Sequence, residues 1–220
     1  MKVIVIAPHA DDETLGCGGT LLKHREQGDE IYWVIITTPT KEFGYSKEQL
    51  EKRGEEIKAV SQAYGFSEVV EFNLPVTKID LLYTRDLVLK IREAFEKIKP
   101  EIVYIPFSHD AHSDHRKTFS AALNCIKTFR FPYIKKIFMM EIISETEFAA
   151  PNDAAFAPNY FVDITNYIDK KTAIMKLYES EVDKRPAPRS LENIEALATF
   201  RGSTANCQYA ESFMLLKEIW

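Results

Sequence analysis

The chain has 220 residues, 45% of them apolar, and a formal net charge of −5. That length suits one domain, which buries about 70% of the surface its unfolded chain exposes and folds without staples. The acidic balance and the lack of a basic stripe interleaved with aromatics argue against a nucleic-acid binder, and no stretch approaches the roughly 20 apolar residues of a membrane span.

Val3 to Ala7 opens the chain as a short β-branched run, too short for the apolar region of a signal peptide. A helix is predicted from about Thr14 to Gln27, ended by Gly28. Tyr32 to Ile36 reads as a second strand buried on both faces. Ser46-Lys-Glu-Gln49 is a capping box that announces a helix running to Gly65. Glu68–Asn73 and Ile102–Ile105 are further strands, with a helix from Thr84 to Lys99 between them. That helix places Leu87, Ile91, Phe95 and Ile98 on one face. The second half is less regular. Strands are predicted over Lys136–Ile143 and Asn159–Asp163, and helices over Asn166–Glu179, Ser190–Arg201 and Tyr209–Glu218. Asp183 to Arg189 is a loop stiffened by its prolines.

Strands alternating with amphipathic helices imply βαβ units and right-handed crossovers. The expected fold is α/β, a Rossmann-like open and mostly parallel sheet with helices on both faces, forming one domain over residues 1–220. Ligands in such folds bind beyond the carboxyl ends of the strands. Two unusual polar clusters fall there, after Val3–Ala7 and after Ile102–Pro106. Both are expected on one rim.

The first cluster is Pro8-His9-Ala10-Asp11-Asp12-Glu13. Carboxylates suit a helix start, but His9 gains nothing there. The second is Ser108-His109-Asp110-Ala111-His112-Ser113-Asp114-His115-Arg116, which holds three of the five histidines. Helix capping accounts for one of these residues, not for three imidazoles beside two carboxylates. Together the clusters offer neutral nitrogen and carboxylate oxygen, the mixture zinc prefers, although another divalent ion would also suit. A catalytic zinc lowers the pKa of bound water to roughly 7. A carboxylate off the metal can take the water's proton, and a histidine can stabilise the oxyanion and protonate a leaving nitrogen. The residues themselves do not rank His109 against His115 as a ligand.

The pair of motifs, Pro-His-x-Asp-Asp-Glu and His-x-Asp-His-Arg about a hundred residues later, resembles the LmbE-like or PIG-L-type N-deacetylases. The resemblance implies a zinc-dependent hydrolase of the linear amide in an amino-sugar (N-acetylglucosamine-type) conjugate. It implies His9, Asp12 and His115 as metal ligands, Asp11 as general base and His112 as general acid or oxyanion stabiliser, with Asp114 orienting His112. Relatives usually carry proline where this chain has Ala10, which loosens the turn without removing a functional group. His109 and Asp110 are expected behind the ligands. The resemblance also admits a homo-oligomer. A small-molecule partner, no nucleic acid and no membrane complete the expectation.

Arg53 falls on the inward stripe of its helix with Leu50, Ile57, Val60 and Tyr64, where an unpaired guanidinium is costly. It is expected either to pair with Glu56 or another acid, to snorkel, or to reach over the rim to substrate hydroxyls; a comparable arginine in the family contacts the sugar. Cys17, Cys125 and Cys207 are odd in number and lack Cys-x-x-Cys spacing, so reduced thiols and a cytoplasmic protein are expected. Gly16-Cys17-Gly18-Gly19 lacks the P-loop pattern and reads as close packing of the helix on the sheet. His24, Lys135-Lys136 and Lys170-Lys171 are expected at the surface, and Ser144–Phe148 receives no role. The competing readings are an amidase for a non-sugar or thiol-sugar conjugate, a non-catalytic protein that holds a metal or nucleotide-sugar, and a nucleotide-dependent Rossmann enzyme.

Overall fold

In the computed structural model, which describes residues 1–150 and 155–220, the apolar runs become strands of one seven-stranded sheet. The first half reads β1 (Lys2–Ala7), α1 (Asp12–Glu26), β2 (Glu30–Thr38), α2 (Lys47–Tyr64), β3 (Glu68–Pro75), α3 (Thr84–Ile98), β4 (Ile102–Ile105) and α4 (Ser113–Cys125). The second reads β5 (Lys136–Met140), β6 (Tyr160–Asp163), α5 (Ile168–Met175), α6 (Leu191–Ala205) and β7 (Ala210–Glu218). The strand order is β3-β2-β1-β4-β5-β7-β6. The first five strands are parallel, and β7 runs antiparallel to both its neighbours.

The sheet is apolar on both faces because side chains alternate along each strand. Val3, Val5, Ile31, Trp33 and Ile35 pack toward Leu21 of α1 and Val60 and Tyr64 of α2. Ile4, Ile6, Val34 and Ile36 pack toward Ile91 and Phe95 of α3 and Ala121 and Ala122 of α4. The helix following β1 and the helix following β4 therefore lie on opposite faces. A crevice opens between these strands at their carboxyl ends, where ligands of open α/β sheets bind. Both polar motifs border it.

The predicted caps form. Ser46 accepts from the Gln49 amide while Gln49 accepts from the Ser46 amide, and Gly65 ends α2 in the left-handed region. Helix α1 breaks at Cys17, and the helix resumes under Glu211, whose carboxylate accepts from Gly19 N at 2.8 Å and Thr20 N at 2.7 Å. Lys171 donates to Leu15 O on the other side of the break and pairs with Glu211 at 2.7 Å. The glycines here allow close packing: a Cβ on Gly19 would stand 2.7 Å from the Ile164 side chain.

Five expectations change. Tyr209–Glu218 is strand β7, not a helix. Its Ala, Glu, Leu and Lys content favours a helix, but β5 and β6 offer hydrogen-bonding edges on both sides, and tertiary pairing overrides propensity. The helix predicted over Asn166–Glu179 is shortened to Ile168–Met175, and the strand from Lys136 stops at Met140. Lys171 is buried in its ion pair rather than solvated. His24 lies largely buried between Asp29 at 2.7 Å and the Tyr104 hydroxyl at 3.0 Å. Cys17 and Cys125 are buried, Cys207 partly so, and all three are free thiols. Among the described residues no helix is long and apolar enough to cross a membrane.

Candidate metal centre

The strand β1 ends in the sharp turn that begins α1, and this turn sets the first motif. The Asp12 carboxylate accepts from the His9 amide at 2.8 Å, tying the turn to the helix start. Asp11, the residue between, has a φ of 146°, a backbone region that side chains other than glycine rarely adopt. Glu13 is buried beneath, accepting from Asp11 N at 3.1 Å and from the Tyr178 hydroxyl at 2.7 Å. Burial pushes its carboxyl up to about 7.

Helix α4 supplies the second motif from its first turn. His115 is wholly buried, with Nδ1 2.8 Å from Asp110 Oδ2. That carboxylate is held in turn by the Thr146 hydroxyl, which donates to Oδ1 at 2.7 Å. The bond assigns the proton to His115 Nδ1 and leaves Nε2 as the free lone pair. Nε2 stands 3.3 Å from Asp12 Oδ2 and has no hydrogen-bond partner.

His9, Asp12 and His115 thus converge, each offering one ligand atom with all three atoms within 4.8 Å of one another. His9, His112 and Asp114 form a second such group on its flank. An orphaned, buried imidazole nitrogen facing a carboxylate and a second imidazole fits a divalent metal ion. Burial raises the Asp12 carboxyl, but His115 and His9 beside it outweigh this and hold it below its ordinary value. Without the ion, burial also opposes charge on His115, yet Asp12 and Asp110 raise its pKa well above the ordinary imidazole value.

Of the remaining motif residues, Ala10, Asp11 and His112 line a cavity of about 400 Å³ beside the cluster. Asp11 faces it, largely buried, and burial followed by the Asp12 charge pushes its carboxyl up to about 8, while Arg189 and Arg53 pull the other way. His112 also borders it; burial and the neighbouring His9 lower its pKa. Its Nδ1 accepts from the Asp114 amide at 3.0 Å, which places the neutral ring's proton on Nε2. The Asp114 carboxylate stands 3.9 Å from His112 Nδ1 and bonds instead to His9 Nε2 at 3.1 Å and the Thr77 amide at 2.8 Å. Asp114 therefore orients His112 through its backbone and His9 through its side chain. His109 bonds Ser108 at 2.7 Å and belongs to neither metal-capable group.

Arg53 borders the cavity with its guanidinium mostly buried. It donates to Ala10 O at 3.1 Å, lies 3.5 Å from Glu56 and pairs with Glu181, so the expected acid pairing is present beside the cavity. The Arg185–Arg189 loop and the Ser144–Phe148 run, cleft-bordering segments to which the sequence assigns no role, supply Arg189, which meets Asp11 at 3.2 Å, and Glu145, which accepts from the His112 amide at 3.0 Å. The proline-stiffened loop and the acidic run after β5 were the signals for them. Neither carries a spacing that predicts its contact. Tyr83 is exposed, Tyr104 is buried beside His24, and neither lines the cavity.

Residues 4–126, which contain both motifs, match the family described as PIG-L: GlcNAc-PI de-N-acetylase. The chain belongs to this family. A diacetylchitobiose deacetylase of Thermococcus kodakarensis is 24% identical over 230 aligned positions, covering 100% of this chain and 84% of that protein. The structure of an N,N'-diacetylchitobiose deacetylase from Pyrococcus horikoshii, complexed with its inhibitor MPG, superposes with a TM-score of 0.79 at 23% identity, over 98% of this chain and 84% of that one. A 4-carboxy-2-hydroxymuconate hydratase from Pseudomonas putida KT2440 shares the fold with a TM-score of 0.76 at 18% identity, over 100% and 97% of the two chains. The PIG-L fold thus carries more than one kind of reaction, and the site must argue for its own.

Proposed function

We propose that this PIG-L family chain is a metal-dependent hydrolase that removes the N-acetyl group from an amino-sugar conjugate of the N-acetylglucosamine type. The observation that carries the reading is the His9–Asp12–His115 cluster, with Asp12 and His115 buried and His115 Nε2 unpartnered, beside a cavity that Asp11 and His112 face. Two imidazoles and a carboxylate suit zinc, with another divalent ion as the alternative. The ion would supply a Lewis acid for the acetyl carbonyl and lower the pKa of the attacking water.

The chain's own residues do the rest. Asp11, which faces the cavity and stands outside the His9–Asp12–His115 group, accepts the water's proton as the new carbon–oxygen bond forms. His112, with Nε2–H as donor, supports the developing oxyanion. The carbon–nitrogen bond then breaks, the amine leaves with the transferred proton, and acetate is released. Arg53, at the cavity wall, directs its remaining N–H groups to substrate hydroxyls. Free thiols at Cys17, Cys125 and Cys207 favour the cytoplasm in the same reading.

The test is release of acetate from a panel of N-acetyl sugars and their conjugates, suppressed by a chelator and restored by zinc. Release from non-sugar amides alone would shift the substrate class. No release from any amide, with hydration of an unsaturated acid instead, would sink the hydrolase reading.

A further inference from the structure

Behind the first motif, four charged side chains form a connected path, and the reaction steps above leave two of them, Glu181 and Arg189, unused. Arg53, from α2, donates to the carbonyl oxygen of Ala10 at 3.1 Å, and its other terminal nitrogen pairs with Glu181 in the turn after α5. The second carboxylate oxygen of Glu181 lies 3.0 Å from Arg189 Nη1, and that same nitrogen stands 3.2 Å from Asp11 Oδ2. The path therefore begins at the carbonyl just before Asp11 and ends on the Asp11 side chain. Two guanidinium groups grip one residue from both sides, and one carboxylate joins them.

The residue so gripped is the one with the φ of 146°. A backbone held in such a region persists only where its surroundings over-determine it. Arg53 is well anchored without help, by Glu56 at 3.5 Å and by the Tyr178 ring, whose centroid lies 5.8 Å from the guanidinium carbon. Arg189 is not: a third of its side chain is exposed. A long cation at a cavity mouth gains hydration and rotamer freedom by swinging outward. Glu181 is the group that makes staying inward favourable, since its two oxygens pair with both cations at once.

We propose that Glu181 is a positioning residue: by bridging Arg53 and Arg189 it holds the Asp11 peptide and carboxylate in the orientation that faces the cavity. The inference rests on the reading of Asp11 as the group that receives the proton. It deepens that reading by extending the machinery beyond the two motifs to the segment after α5.

The experiment compares Glu181→Gln, Glu181→Asp, Arg189→Ala and the Glu181→Gln/Arg189→Ala pair, using zinc-loaded protein and the best N-acetyl substrate of the panel. Misplacing a reacting group by about 1 Å costs on the order of 100-fold, so Glu181→Gln should lose roughly 10- to 100-fold in kcat. KM should stay within about twofold, since Glu181 itself does not meet substrate and Arg53 keeps its anchors on Glu56, Ala10 O and Tyr178. Zinc content and melting temperature should match the parent, and Glu181→Asp should recover part of the rate. The double variant should be no slower than Arg189→Ala alone, because both changes break one linkage. A crystal structure of Glu181→Gln should show Arg189 withdrawn from Asp11.

An unchanged kcat, a loss confined to KM, or additive losses in the double variant overturn the proposal. So does an Arg189–Asp11 contact that survives in the Glu181→Gln crystal. That structural criterion needs no turnover. A parent enzyme that releases no acetate therefore removes the hydrolase reading, while the crystal separately decides whether Glu181 holds the path together.

Discussion

Replacing Asp110 asks how much of the candidate metal centre depends on a residue outside the His9–Asp12–His115 group. Asp110 is wholly buried, with one oxygen 2.8 Å from His115 Nδ1 and the other accepting from Thr146 at 2.7 Å. It keeps the proton on Nδ1, raises the basicity of the ring and turns the Nε2 lone pair toward Asp12. Asp110→Asn retains the size and an acceptor oxygen but loses the charge. Asp110→Ala removes the acceptor and leaves a buried N–H of His115 without a partner. Changes in such partners cost roughly 10- to 100-fold in metal affinity, or about 1.4–2.8 kcal/mol. We expect the asparagine variant near the lower figure and the alanine variant near the upper. The assay is competition for zinc against a colorimetric chelator at fixed pH, with thermal melting to confirm that each variant is folded. A folded Asp110→Ala that binds zinc as tightly as the parent would refute the reasoning, because His115 would then need no help to present Nε2.

Three other outcomes are expected. Asp11→Asn should keep zinc and lose about 100-fold or more in kcat, whereas Asp12→Asn should lose zinc; the opposite pattern by metal analysis reverses the two carboxylates. Arg53→Ala should raise KM and, through the lost bond to Ala10, lower kcat, with zinc content unchanged; steady-state kinetics in which neither constant moves count against any role at the site. Glu211→Ala leaves Lys171 charged and buried and strips two amides of their acceptor. Such losses destabilise by about 3–5 kcal/mol, or roughly 6–20 °C in melting temperature, and a calorimetric drop below about 2 °C would contradict this reading of the α1 break.

Much of the first half was legible because its signals are local. Val3–Ala7 and Tyr32–Ile36 are apolar on both faces, Ser46 and Gln49 close a capping box, and Gly65 ends the helix, each within a few residues. The second half was less so. Tyr209–Glu218 carries residues that favour a helix, and only the open edges of β5 and β6, more than sixty and about fifty residues earlier, make it a strand. Lys171 reads as a surface residue until Glu211 is placed beside it.

The candidate site divides the same way. His9, Asp11, Asp12, His112, Asp114 and His115 could be picked out because two dense clusters of metal-binding and proton-transferring groups each follow a strand, and strand ends in a parallel sheet share one rim. Which carboxylate serves which imidazole was beyond the sequence: Asp114 turned to His9, and Asp110 to His115. Arg189 and Glu181 reach Asp11 and Arg53 from the far end of the chain. Side-chain types and their order determine what chemistry can be assembled. Hydrogen-bond direction and charge pairing depend on distances of a few ångströms between segments far apart in the chain, and only the packed fold decides those.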